Sequence, residues 1–367
     1  MARKKDTYYS LDNIKKENCQ YNILYAERSP GKSYAVKREL LKDAWNDKHY
    51  MLYLRRWKEE IKVADIIDYF EDMVCDDEGN MRIYEITGGE YTDVTVFMGR
   101  IWFANLDEQG KKIRSNVMIG YYACLTGETH YKSKSYVGVY NMVFEEFITD
   151  EGYLPREPIR LMKLVSSVFR RREGKVYLIG NTISRNLPYF YAWGLDKCLT
   201  QKQGTILKFH QKSAETDEDG NPIIIDIAVE YCQRAQKSKS MIFGKGTESM
   251  VTGQWDVQSY LQLPKDICNY KIYYSCYAQH DYFKFKLDIV LIENNPVLYI
   301  SRIEELPVDK PFRLVSNLDS FNKLVTPSFK DFVTGYDSTV YTLLSQKKVA
   351  VEDNLCGTDF FSCFKFA

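Results

Sequence analysis

Hydrophobic residues in the first half of the chain form short continuous runs that alternate with stretches of helical spacing. The continuous runs at 23–25, 49–56, 137–147 and 175–180 have the length and composition of buried strands. Apolar residues recur every three or four positions between them, which predicts helices from Gly31 to about residue 41, at 61–75 and at 156–172. Alternating strands and helices are typical of an α/β domain built on a mostly parallel sheet.

Short aromatic and β-branched runs interrupt this alternation. They lie at 81–86, 94–98 and 101–106 and are separated by glycine-containing turns at 88–89 and 99–100. Such spacing predicts a small antiparallel meander.

The pattern changes around residues 189–203, where no period is sustained. We therefore predict a first domain at 1–195, a linker at 196–204 and a smaller α+β domain at 205–367. Its strands are expected at 205–209, 222–229, 270–277, 282–292 and 297–300, with a hairpin turn at 294–296, and its helices at 227–234 and 329–344.

Composition narrows the function classes. Fifty basic and fifty acidic residues cancel, so any contact with nucleic acid must come from a local surface. Nine scattered cysteines without a C-x-x-C pair suggest reduced thiols and a cytoplasmic compartment, and four distant histidines disfavour a zinc site. No run is long enough for a membrane span, so we expect no membrane partner.

Residues 26–33, AERSPGKS, have the spacing of a phosphate-binding P-loop between a strand and a helix. Ala26 replaces the usual first glycine, and Pro30 has no N–H to donate. Lys32 is predicted to reach the outer phosphates, and the Ser33 hydroxyl is predicted to bind the Mg²⁺ that bridges them. On the octet alone, a chance match in an ordinary strand-turn-helix remains open. The predicted nucleotide-binding residues are Arg28, Ser29, Pro30, Gly31, Lys32 and Ser33.

Three other strands end in polar residues that belong at the same sheet edge. The run at 137–147 closes on Glu145 and Glu146, a Walker B-like pattern in which Glu145 is expected to hold the metal and Glu146 to act as general base. Asn181 follows the run at 175–180 and is expected to sense the terminal phosphate. Arg55 and Arg56 end the run at 49–56, where a phosphate, solvent and an acidic partner are all plausible neighbours.

Five motifs in order resemble the DNA-packaging (encapsidation) ATPases of phi-29-like small tailed phages. They are AERSPGKS, YLRRWK, MVFEEF, VFRRRE and LIGNT, and the resemblance covers residues 22–190. It implies an ASCE-type P-loop NTPase that uses ATP and Mg²⁺, followed by a degenerate RNase H-like domain without nuclease activity. It also implies trans-acting roles for Arg170 and Lys132. Candidates for a nuclease remnant are Asp226, Asp288 and Glu293.

The resemblance further implies a motor that moves double-stranded DNA into the procapsid. Its expected partners are DNA, further copies of the chain in a pentameric ring, the phage portal and an additional packaging RNA or phage protein. Its expected location is the host cytoplasm, at the portal vertex. Two alternatives remain open at this point: an ATP-dependent assembly switch that moves nothing, and a terminase-like enzyme whose C-terminal domain cuts DNA.

Overall fold

The computed structural model describes most of the chain and divides it into two compact units. The first unit contains the described residues up to 182 together with 192–233, and the second contains 187–191 and the described residues from 260 onwards. The described residues are 9–26, 31–127, 134–149, 152–170, 172–182, 187–216, 218–233, 260–263, 271–280, 283–292, 294–307, 314–315 and 336–363.

The first unit is built on a nine-stranded sheet in the order β3-β4-β5-β2-β6-β7-β1-β9-β8. The six central strands, β5, β2, β6, β7, β1 and β9, each pair in parallel with the next. The pairs β3–β4, β4–β5 and β8–β9 are antiparallel. The strands are β1 (Tyr21–Ala26), β2 (Tyr50–Arg55), β3 (Asp93–Phe97), β4 (Arg100–Leu106), β5 (Lys112–Cys124), β6 (Val139–Glu145), β7 (Lys175–Asn181), β8 (Ile206–Thr216) and β9 (Pro222–Tyr231).

Helices cover the sheet and bury its apolar strands. Every residue of β1 is buried, as its continuous apolar sequence predicts for a central parallel strand. Within the described residues the helices are α1 (Asp12–Lys16), α2 (Lys32–Asn46), α3 (Val63–Tyr69), α4 (Glu71–Val74), α5 (Arg82–Ile86), α6 (Glu157–Phe169), α7 (Pro188–Ala192), α8 (Tyr336–Ser345) and α9 (Asn354–Cys363), with short 3-10 helices at Lys58–Ile61, Leu125–Gly127 and Asp196–Thr200.

The predicted α/β class with a large, mostly parallel sheet is confirmed, but several elements differ. Residues 82–86 form a helix rather than the predicted first strand of the meander, because the two side chains that pack on the core, Ile83 and Ile86, are three residues apart and so share one helix face. Strand β5 was not predicted, since its first six residues are largely exposed and only its second half is buried. The helix expected at 61–75 is broken at Phe70 into α3 and α4.

The first unit continues past the predicted boundary at 195 and past the predicted linker at 196–204. Strands β8 and β9, which the sequence assigned to the C-terminal domain, extend the first sheet because β9 pairs in parallel with β1. The pairing buries Ile227, Ala228 and Val229 against the P-loop strand, so the helix expected at 227–234 is wrong. The loss of hydrophobic periodicity at 189–203 therefore corresponds to an irregular connection and not to the start of a new domain.

The second unit contains a five-stranded sheet in the order β13-β10-β11-β12-β14. The predicted hairpin between β11 and β12 is confirmed, and Asn294 in its turn has a φ of +64°. Helices α8 and α9 pack their apolar residues, including Val340 and Phe360, on this sheet. The strands are β10 (Ile272–His280), β11 (Phe283–Ile292), β12 (Asn295–Arg302), β13 (Leu314–Val315) and β14 (Val349–Val351).

Two composition-based expectations can be compared with the described residues. All eight described cysteines are free thiols. Within the same residues, no helix has the length and apolar character needed to cross a membrane.

Candidate active site

The carboxyl ends of β1, β2, β6 and β7 meet at one edge of the first sheet. Strand β7 lies between β1 and β6, so the strand before the P-loop and the strand that ends in acids are not neighbours. The register pairs Ala26 with Asn181 and Glu145 with Ile179. The polar residues predicted from separate motifs therefore converge at this edge.

The P-loop enters helix α2 through a left-handed glycine. Gly31 has φ +90° and ψ +19° and stands immediately before Lys32, the first residue of α2. A side chain at this φ is strained, so glycine suits the sharp turn that starts the helix here. Glu27, Arg28, Ser29 and Pro30 lie outside the described residues, so the roles predicted for Arg28, Ser29 and Pro30 stay predictions.

Lys32 is buried at the start of α2, and its amine contacts the end of β7. The Lys32 Nζ atom donates a hydrogen bond of 3.2 Å to Asn181 Oδ1. The contact joins two residues that sequence analysis assigned to phosphate chemistry from motifs about 150 residues apart. It orients a cation at the P-loop end of the sheet.

Ser33 and Glu145 form the second link between motifs. The Ser33 hydroxyl donates to Glu145 Oε2 over 2.9 Å, and the Tyr69 hydroxyl donates to Glu145 Oε1 over the same distance. Burial raises the pKa of the Glu145 carboxyl, and the Ser33 hydrogen bond, the charge of Lys37 and the Tyr69 hydrogen bond oppose that rise. Both carboxylate oxygens are thus fixed in a side chain that is 5% exposed.

Tyr69 was missed by sequence analysis. It ends α3, about 75 residues before Glu145. Its ring is tilted by 34° against the ring of Tyr53, and the two ring centroids are 4.2 Å apart. Lys37 lies beneath it, donating to the Tyr69 carbonyl and to Asp72. A tyrosine on a helix with an apolar face gives no local signal of this role, because such residues usually pack through their rings.

Glu146 differs from Glu145 in exposure and backbone conformation. It has a φ of +55° and its side chain is 61% exposed. Arg55, at the end of β2, donates to Glu146 Oε2 over 2.8 Å and also contacts Glu60. The carboxylate is therefore accessible to solvent and held by an ion pair at the sheet edge.

Arg56 is a buried anchor for the segment after β6. Its guanidinium donates to both carboxylate oxygens of Glu157, at 2.8 and 3.0 Å, and to the carbonyls of Glu146 and Phe147, at 3.0 and 2.9 Å. Of the neighbours left open for the arginine pair, the described contacts favour acidic partners. Glu157 was not predicted, since nothing in the local sequence marks it as buried.

Arg170 follows helix α6 and is exposed. Its Nη2 atom donates to the Lys134 carbonyl and its Nε atom to the Ser167 carbonyl, each over 3.3 Å. Lys132 lies outside the described residues, whereas Lys134 packs over the rings of Tyr121 and Tyr136. Burial and the charge of Arg100 lower the pKa of Lys134. Arg170 has no hydrogen bond to the described site residues of its own chain.

The sequence profile of the podovirus DNA encapsidation protein (Gp16) family matches residues 3–204, more than half of the chain. The chain belongs to this family. Membership in the podovirus DNA encapsidation family confirms the resemblance drawn from the five motifs.

Individual relatives match part of this encapsidation-family chain. The DNA packaging protein of Bacillus phage B103 is 30% identical over 178 residues, which cover 47% of this chain and 48% of the relative. The DNA packaging protein of Bacillus phage phi29 is 27% identical over 196 residues, covering 52% and 51%. The chain thus spans about half the length of the curated relatives it matches.

Solved structures share the fold over nearly the whole chain. The bacteriophage Phi-29 viral genome packaging motor assembly contains a chain with a TM-score of 0.57 and 17% identity, covering 98% of this chain and 100% of that one. The Phi-28 gp11 DNA packaging motor gives a TM-score of 0.54 and 16% identity, with 98% of each chain covered. At these identities the likeness concerns the fold.

Proposed function

We propose that the protein is an ATP-driven motor that moves double-stranded viral DNA into a procapsid. The observation that carries the proposal is the pair of hydrogen bonds from the start of α2, Lys32 to Asn181 and Ser33 to Glu145. They join P-loop, Walker B-like and sensor positions at one edge of the sheet. The position of β7 between β1 and β6 supports the ASCE-type arrangement that the resemblance implies.

The residues at this edge fit a nucleotide with Mg²⁺. Carboxylate and hydroxyl oxygens are the ligands that Mg²⁺ prefers, and Glu145 and Ser33 supply one of each within hydrogen-bonding distance. Gly31 opens the turn at the positive end of α2, where a phosphate is favoured. Ser33 and Glu145 would hold the Mg²⁺, which would supply positive charge against the negative charge that develops during phosphoryl transfer.

The chain's own residues have separate tasks. Lys32 balances phosphate charge while Asn181 orients its amine, and Ser33 and Glu145 hold the metal. Glu146 orients and deprotonates the attacking water, because its carboxylate is exposed where that of Glu145 is buried. Arg55 holds the Glu146 carboxylate until the water is in place.

Arg170 acts on a neighbouring copy rather than on its own site. Helix α6 begins at Glu157, which Arg56 ties to Glu146, and runs 13 residues before Arg170. At a rise of 1.5 Å per residue this separates the two ends of the helix by roughly 20 Å, beyond the reach of one arginine side chain. A guanidinium supplied in trans stabilises transition-state charge at the γ-phosphate. Lys132 is proposed to share this role.

The partners follow from this mechanism and from family membership. We propose a ring of identical subunits, five by family analogy, which acts at the portal vertex of the procapsid in the host cytoplasm. Phosphate contacts would grip the duplex without reading its sequence. An additional RNA or phage protein is a further proposed partner, and failure of purified motor and portal to package DNA by themselves would show that it is required.

The second unit supports the proposed degenerate RNase H-like fold. Strands β12, β11 and β10 pair antiparallel in succession, and β13 follows in parallel with β10. Of the proposed nuclease remnant, Asp288 is buried and paired with Lys286 at 2.9 Å, whereas Asp226 belongs to the first unit and Glu293 lies outside the described residues. The lysine neutralises the carboxylate, which favours a structural role over metal binding.

The test measures ATP hydrolysis by the full chain with and without double-stranded DNA. A motor is expected to hydrolyse ATP faster with DNA, and Lys32→Ala should abolish both rates. Hydrolysis that is indifferent to DNA would favour the assembly switch, and Mg²⁺- or Mn²⁺-dependent nicking of a plasmid would favour the terminase-like alternative.

A further inference from the structure

The hairpin between β3 and β4 presents an apolar tip to solvent. Phe97 pairs with Arg100 across the two-residue turn Met98-Gly99, in which both residues have positive φ, as a tight hairpin turn requires. Met98 is 83% exposed and Phe97 is 47% exposed. Large apolar side chains that remain exposed together at a turn often mark a site of interaction with another molecule.

Cations surround this tip. Arg114 lies over the ring of Phe97 at 5.1 Å and over that of Trp102 at 4.6 Å. The amine of Lys134 lies near Gly99, and the Lys134 carbonyl accepts the hydrogen bond from Arg170. We call Phe97, Met98, Arg100, Arg114, Lys134 and Arg170 the cationic surface.

The opposite charge is concentrated in another segment of the same unit. Residues 59–78 contain nine acidic residues and one basic residue, Lys62, in a chain whose total charges cancel. Six of these carboxylates are exposed, and none of the six has an ion pair with a described residue. We call these six the acidic surface: Glu59, Asp65, Asp68, Glu71, Asp77 and Glu78.

The two surfaces lie on opposite faces of the sheet. Helix α3 packs with Met51 and Tyr53 in one core cluster, so those side chains point toward the acidic surface. Leu52, between them, points to the other face and pairs in register with Tyr121. Tyr121 lies under Arg100 and Lys134, which places the cationic surface on that other face.

We infer that the cationic surface of one subunit docks on the acidic surface of a second copy of this chain. The inference rests on the proposed function, because it names the subunit contact that the ring and the trans-acting Arg170 need. Unlike surfaces on opposite faces make a head-to-tail contact, which closes into a ring when the rotation between subunits allows it. The acidic surface also adjoins Glu60, which shares Arg55 with Glu146, so the contact brings Arg170 toward the neighbour's site.

Two matched substitutions test the apolar tip. Met98→Asp should weaken self-association of the full chain by roughly tenfold or more in sedimentation, as expected for an anchor at the centre of an interface. Leu106→Asp is the control, since Leu106 is 52% exposed at the other end of β4, about 20 Å from the tip, and should leave association unchanged. Association should also weaken with salt.

A mixing experiment tests the head-to-tail geometry. Met98→Asp subunits keep an intact acidic surface, and subunits with Asp68→Lys and Glu71→Lys keep an intact cationic surface. Neither should self-associate, but a mixture should form one-to-one dimers through the remaining good interface. An absence of mixed dimers, or equal effects of Met98→Asp and Leu106→Asp, overturns the inference. So does a wild-type chain that stays monomeric with ATP and DNA.

Measurements of DNA binding, ATP hydrolysis and nucleotide binding distinguish subunit docking from a DNA-binding role of the cationic surface and from a failure of the proposed function. A Met98→Asp chain that associates normally but binds DNA less tightly would make the cationic surface a DNA site. A failure of the proposed function would instead appear as absent ATP hydrolysis by the wild type. Nucleotide binding by isolated Met98→Asp subunits should remain within about twofold of wild type, which shows that the site itself is intact.

Discussion

Arg55 and Glu146 form an ion pair of 2.8 Å between the end of β2 and the residue after β6. The pair holds an exposed carboxylate at the sheet edge without burying it, so the charge can be removed with little effect on packing. We therefore expect Glu146→Gln to bind ATP and fail to hydrolyse it, whereas Lys32→Ala should lose ATP binding. Lys42→Ala on α2 is the control for the lysine. Near-normal turnover by Glu146→Gln would show that another group is the base.

Shortening Glu145 should impair metal binding. The sequence alone suggests that Glu145→Asp is tolerated, because aspartate is commoner in Walker B strands, whereas the two hydrogen bonds to Glu145 lead us to expect a loss. A side chain shorter by one methylene cannot reach both Ser33 and Tyr69 from the same backbone position. We expect Glu145→Asp to raise the Mg²⁺ concentration needed for half-maximal hydrolysis by roughly tenfold, and Tyr69→Phe to raise it less. Unchanged metal dependence in both variants would exclude the positioning role of Tyr69.

Gly180 makes room for the segment that carries the general base. A Cβ atom at this position would lie 2.7 Å from Ile148 Cγ1 and 2.9 Å from Phe147 Cε1. Gly180→Ala should displace these residues and reduce hydrolysis at least about tenfold while the chain remains folded. Ile148→Ala in the same chain removes the nearest atoms and should restore part of the rate. Full activity of Gly180→Ala alone would mean that the segment shifts without moving Glu146.

The buried pair of Arg56 and Glu157 should matter more for stability than any exposed pair. Removing one partner leaves the other charge buried, so Glu157→Gln or Arg56→Met should lower the free energy of unfolding by about 3–5 kcal/mol. Lys15→Ala, which breaks the exposed pair with Glu39, should cost under about 1 kcal/mol. Urea denaturation of the three variants makes the comparison, and similar losses would argue against a structural anchor at Arg56.

Mixed subunits test whether Arg170 acts in trans. Arg170→Ala subunits should be inactive alone and regain part of their hydrolysis when mixed with Glu146→Gln subunits, because some interfaces then join an intact base to an intact arginine. Lys132→Ala should behave likewise if it shares the role. Arg172→Ala is a nearby control, since its guanidinium donates to the Tyr136 and Val168 carbonyls. Strictly additive rates at every ratio would leave Arg170 only a helix-capping role.

Sequence alone predicted the parts of the site that lie in local motifs. A P-loop, two adjacent acids and an asparagine after a strand are each marked by an apolar run that precedes them, so their convergence at the sheet edge followed from the parallel fold. Tyr69 and Glu157 were not predictable in this way. Their partners are about 75 and 100 residues distant, and neither periodicity nor spacing encodes which buried charge meets which donor.

The placement of β9 shows a second limit. The last residues of β9 form a short apolar run that is compatible with either a helix or a strand. They form a strand because they pair with the edge of β1 that β7 leaves open. The domain boundary was therefore predicted too early, because a sheet can recruit a strand from beyond an irregular connection.

The left-handed backbone at Glu146 has a consequence for protein engineering. A glutamate at a φ of +55° costs on the order of 1 kcal/mol relative to a residue that accepts this conformation, and glycine or asparagine would relieve it. A design procedure that ranks substitutions by folding free energy would therefore favour replacing the very residue that we assign as the base. Thermostabilised versions of this protein should be chosen with position 146 held constant.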